Sequence, residues 1–114
     1  QKGGSFTWDA SQVSLHLSGP QQKGSYIRGH KLRKELAGKS VMNANVLDYL
    51  LAHPELIPES WNGQYVFFWG TIYRGSGGLL FVRCLCWFGF GWLWGFRWLD
   101  YGFSGFSPAA LRAS

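Results

Sequence analysis

The sequence predicts an α+β domain: a short N-terminal strand, two helices, a proline-bounded linker, then a three-stranded antiparallel β-meander. Three observations carry this. The chain of 114 residues is the usual size of one domain. Its middle has apolar residues at helical spacing in "NANVLDYLLAH". Its later part has three runs rich in aromatic and β-branched residues, "YVFFWGTIYR", "LLFVRCLCW" and "WLWGFRWLD", separated by glycine-rich turns. The expected organisation of the single domain, residues 1–114, is an N-terminal arm and strand over 1–22, a basic helical region and linker over 23–61, the meander over 65–99 and a tail over 100–114.

The first element is "QVSLHLS", where Val13, Leu15 and Leu17 alternate with Ser14, His16 and Ser18 until Gly19-Pro20 ends the strand. This strand is expected to pair with an edge of the meander. "HKLRKELAG" follows as a short helix stopped by Gly38. The second helix is capped by Asn43 or Asn45, buries Val46, Leu47, Leu50 and Leu51, and is closed by Pro54. "PELIPESW" is a compact linker with a helical turn from Pro58, anchored by Leu56, Ile57 and Trp61.

In the meander, Gly75-Ser76-Gly77-Gly78 makes the first turn and Phe88-Gly89-Phe90-Gly91 the second. That second turn fixes a register in which Trp87 faces Trp92, Leu85 faces Trp94, Arg83 faces Phe96 and Phe81 faces Trp98, all on one side. Leu80, Val82, Cys84, Cys86, Leu93, Gly95, Arg97 and Leu99 share the other side, which is smaller and more aliphatic. Helices are expected there, with Leu47, Leu50 and Ile57 against Val82, Cys84 and Leu93. The aromatic side is then either a platform or a second buried surface. The tail is expected to be an extension anchored by Phe103 and Phe106, with Ala109 to Ser114 frayed or forming one short turn.

Residues 79–99 are long enough for a bilayer span, but Arg83 and Arg97 lie within it. Three glycines interrupt it, and its tryptophans do not gather at its ends. The chain is therefore read as not transmembrane. "QKGGSF", starting at Gln1, lacks the charged and apolar regions of a signal peptide. With Cys84 and Cys86 read as reduced buried thiols, the expected compartment is the cytoplasm. On one strand these two cysteines point the same way, with Cα atoms about 6.7 Å apart and poorly aimed for a bridge.

The run "VMNANVLDYLLAHPELIPESW", followed by "VFFWGTIYR" and "VRCLCW", resembles a group of small bacterial proteins of unknown function, from Lys31 to the end. The resemblance implies one bacterial domain with the order helix, linker, sheet, and brings no catalytic residues.

Charge is concentrated. Lys23, Arg28, Lys31, Arg33, Lys34 and Lys39 against Glu35 leave a net +5 over residues 23–39, equal to that of the whole chain. Cations beside flat rings suit single-stranded nucleic acid, where cations track phosphates and rings stack on bases. The expected function is thus a small non-enzymatic binding module. Its candidate binding residues are Arg83, Trp87, Trp92, Trp94 and Trp98 on the sheet and Lys31, Arg33 and Lys34 on the basic segment, with nucleic acid or a protein as partner. One alternative is a self-assembling or protein-interaction module, a homo-oligomer through the aromatic face. Another is a small ribonuclease-like hydrolase built on His53, Glu55, Glu59 and Arg74. The bland reading of those residues is a histidine in a last helical turn and acids in first turns after proline. No catalytic residues, metal site or cofactor are assigned: His16, His30 and His53 show no paired ligand spacing, and "GSGG" lacks the lysine of a phosphate loop.

Overall fold

A computed structural model describes residues 8–112. The expectations at Gln1 and at the last two tail residues lie outside this range. Helices stand where spacing and caps place them. α2 spans Gly29–Leu36, and Gly38 follows in the left-handed region at φ +88°. α3 spans Ala44–Ala52, and the Asn43 side chain accepts hydrogen bonds from the N–H groups of Asn45 and Val46. The linker holds two single turns of 3-10 helix, Pro54–Leu56 and Glu59–Trp61.

A third helix departs from the expectation of two. Ser18-Gly-Pro-Gln21 forms a capping box at the start of α1, Gly19–Gln22, with side chain and backbone of Ser18 and Gln21 bonded reciprocally. The buried Gln21 amide then donates to the carbonyls of Ser104 and Ser107, fastening α1 to the tail.

The larger correction concerns the sheet. In place of a three-stranded meander the described residues form a sheet of six strands, with a separate two-stranded ribbon of β2 (Ile27–Arg28) and β7 (Gly102–Phe103). The hairpin of β5 (Leu80–Trp87) and β6 (Trp92–Trp98) has the register that its turn demands, Trp87 opposite Trp92 through Phe81 opposite Trp98. Gly89 takes φ +83° in that turn. "YVFFWGTIYR" lies along the other edge of β5 as two short strands, β3 (Val66–Phe67) and β4 (Tyr73–Arg74). Between them the chain leaves the sheet. Gly70 permits this, because its N–H donates to the Met42 carbonyl and a Cβ there would lie 2.9 Å from Asn43 backbone.

The tail supplies the strand that completes the sheet. β8 (Ala109–Arg112) pairs antiparallel with β1 (Val13–His16) and parallel with β3 at Phe67. β1 therefore does not reach the meander, and Ala109 to Arg112 are neither frayed nor a turn. Phe103 is buried, whereas the Phe106 side chain is exposed and only its backbone holds it, the carbonyl accepting from the Tyr65 N–H.

Both faces of the sheet are covered, by different helices. Leu32 and Leu36 of α2 join Val82, Cys84, Cys86, Phe67 and Phe103 in one core. Val46, Leu47 and Leu50 of α3 join Leu85, Val66, Phe68, Ile57 and Trp61 in the other. The expected packing of Leu47, Leu50 and Ile57 on Val82, Cys84 and Leu93 is thus reversed: α3 lies on the aromatic side, and Leu93 is exposed. The uninterrupted buried run Val66–Trp69 fits a strand region that meets a core on each side.

Candidate binding surface on the aromatic hairpin

α3 covers the aromatic side over Val66, Leu85 and part of Trp92 but leaves Trp94 and Phe96 open. Leu85 is buried, whereas Trp94, directly opposite, is 51% exposed and Phe96 49%. The rings on this side make two contacting groups. Tyr73 stacks on Phe81 at 5.2 Å, Phe81 meets Phe96 and Trp98 at 5.1 and 5.4 Å, and Trp87 meets Trp92 at 5.5 Å. Offset and edge-on contacts of this kind fix ring orientation as well as burying area.

Arg83 sits among them. Its guanidinium lies 4.3 Å from the centre of the Trp94 ring, donates to Asp48 Oδ1 of α3 at 3.1 Å and reaches the Tyr73 hydroxyl at 3.4 Å. Partial burial works against its charge, but the bonds to Tyr73 and Asp48 and the Asp48 carboxylate outweigh this and raise its pKa further. Two of its donating nitrogens are therefore engaged within the chain. The hairpin tip adds Trp87, Phe88 and Phe90, all exposed.

The candidate residues fall into two groups that the fold keeps apart. Arg83, Trp87, Trp92, Trp94 and Trp98 come together on the α3 side. Lys31, Arg33 and Lys34 are exposed on α2, which packs on the opposite side of the sheet. Helix and ring layer were legible separately; their relative side depends on which face each helix takes, and no local pattern encodes that.

Other groups are accounted for locally. Cys84 and Cys86 are free and buried, and burial pushes the Cys84 thiol up to about 12. His53 Nδ1 lies 3.8 Å from Glu55 on an exposed surface and its ring packs on Tyr49; among the described residues neither His53 nor Glu55 pairs with Glu59 or Arg74. An assembly missed by sequence reading is His30 Nε2 at 2.7 Å from Asp100 Oδ1, beside Arg28, which donates to the Asp100 carbonyl. These residues are 70 positions apart, so no spacing could signal the pair. Among the described residues no three histidine, cysteine or acidic side chains gather closely enough for a metal ion, and no helix is long and apolar enough to cross a membrane. No family model, curated protein or solved structure matches the chain.

Proposed function

We propose that this chain is a non-enzymatic interaction module whose contact surface is the β5–β6 hairpin, and that its partner is a protein. The observation that carries this is the clustering of exposed apolar side chains. Trp87, Phe88, Phe90, Leu93, Trp94 and Phe96, half of the large exposed hydrophobic residues among those described, fall within ten consecutive positions. A contiguous apolar patch of this kind marks a contact site more often than a bare surface, and aromatic rings are the residues that dominate protein interfaces.

Charge placement favours protein over nucleic acid. A single-stranded nucleic-acid groove needs its cations beside its stacking rings, whereas Lys31, Arg33 and Lys34 stand on α2 behind the sheet. The cation that is among the rings, Arg83, spends donors on Asp48 and Tyr73.

Hydroxyl-radical footprinting of Trp94 and Phe96 tests the reading, at low and high protein concentration and with a single-stranded oligonucleotide. Protection that grows with protein concentration is expected. Salt-sensitive protection by the oligonucleotide alone restores the nucleic-acid reading, and rings that stay reactive in every condition overturn the contact surface.

A further inference from the structure

We infer that the partner is a second copy of this chain, joined edge to edge through β6 about a two-fold axis at Gly95. This rests on the reading of the hairpin as a contact surface and specifies who makes the contact.

The backbone supplies the argument. At the two ends of the β5–β6 ladder, the Leu99 N–H donates to the Leu80 carbonyl at 2.9 Å and the Phe88 N–H donates to the Gly91 carbonyl at 3.2 Å. In an antiparallel ladder such bonded pairs alternate with unbonded ones. Leu93, Gly95 and Arg97 therefore turn their peptide groups towards β5, and Trp92, Trp94, Phe96 and Trp98 turn theirs away. Among the described residues β6 has no strand on that side, and the backbone groups of Trp94 and Phe96 have no partner. The carbonyl of Trp98 accepts from the Tyr101 N–H.

Free edges are normally protected by lysine, proline, a bulge or a covering loop. β6, "WLWGFRW", carries no lysine and no proline. Its one charge, Arg97, is drawn to the α2 side, where it donates to Ser107 Oγ at 2.9 Å and lies 5.1 Å from the Phe103 ring centre.

The row is also complementary to itself. With Gly95 opposite Gly95 of the second copy, an unbonded pair where strands approach most closely, Trp94 falls opposite Phe96. Each such pair exchanges both backbone hydrogen bonds and places two half-exposed rings side by side on the same face. On the other face Leu93 meets the aliphatic stem of Arg97, so no like charges face each other. Trp92 meets Trp98 at the ends. A displaced register loses this match, and a foreign strand would need to reproduce it.

The test is the solution mass of the full chain by light scattering over a wide concentration range, with charge-swap variants. The mass is expected to rise from one copy to two. Trp94→Lys or Phe96→Glu should each weaken association by about tenfold or more, equivalent to about 1.4 kcal/mol. The double variant should recover it, because in this register the introduced lysine of one copy faces the introduced glutamate of the other. A measurement needing no substitution is amide exchange: the Trp94 and Phe96 N–H groups should become protected as concentration rises, while those of Leu93, Gly95 and Arg97 stay protected throughout. A mass that stays at one copy, no recovery in the double variant, or fast exchange at Trp94 and Phe96 at every concentration overturns the inference. If footprinting still shows the rings covered, only the edge pairing falls; if the rings are never covered, the contact surface falls with it.

Discussion

The Arg83 guanidinium lies 4.3 Å from the centre of the Trp94 ring and donates to Asp48 of α3, so one cation links a surface ring to the helix that covers the neighbouring strand. A guanidinium over indole keeps its hydrogen bonds while gaining the electrostatic attraction of the ring face. Combined with Trp94→Ala, Arg83→Met should show a coupling of about 0.5–1 kcal/mol in urea denaturation, measured at low protein concentration. Strictly additive losses would show that ring and cation act independently.

Leu50 is fully buried on α3, in the core that contains Leu85. Leu50→Ala should cost about 2–5 kcal/mol, a large part of the stability of a domain of this size. The side of the sheet is tested by pairing it with a second change. Its effect should be non-additive with Leu85→Ala and additive with Val82→Ala, which lies in the other core.

Gly70 has no room for a methyl group, since a Cβ would lie 2.9 Å from backbone atoms of Met42 and Asn43. Gly70→Ala should therefore destabilise by about 1–3 kcal/mol, by pushing the start of α3 away from the sheet. Gly77 meets nothing within 4 Å, and Gly77→Ala should leave the melting temperature essentially unchanged.

Burial raises the Cys84 thiol from near 9 to about 12. In the unfolded chain this thiol ionises near its ordinary value, so above about pH 9 the unfolded state binds fewer protons than the folded one and gains by losing them. The contribution of Cys84 is thus fully present below pH 9 and declines as pH rises towards 12. Denaturation curves compared with Cys84→Ala should show a shallower alkaline loss in the variant. Identical slopes would place the thiol in a more solvated setting.

What could be read from the residues was whatever is local. Asn43 as a cap, Gly38 as a stop and the Phe88–Gly91 turn each act within a few residues, and the turn fixes the hairpin register. Ser18 and Gln21 carried an equally local capping-box pattern, hidden because Gly19-Pro20 also reads as the end of a strand. β8 could not be read so. "AALR" has weak β preference and no alternation, and its alanines are strand residues because layers on both faces leave room for little else. The same holds for the candidate surface. The ring layer followed from register, but its separation from Lys31, Arg33 and Lys34 depends on long-range placement of α2 and α3.

The position of β8 between β1 and β3 bears on how the chain reaches this state. Val13 meets Arg112 across that pairing, and Phe67 meets Ala109, so no stretch of chain emerging early can close the sheet by itself. Pairings so distant along the chain form slowly, because most of the loop entropy must be lost before any contact compensates for it. During synthesis the edges of β1 and β3, with Leu15 and Val66 beside them, would stay open until residues 109–112 leave the ribosome. A nascent chain halted just short of Ala109 would present two unsatisfied strand edges at once, a natural target for chaperones and proteases.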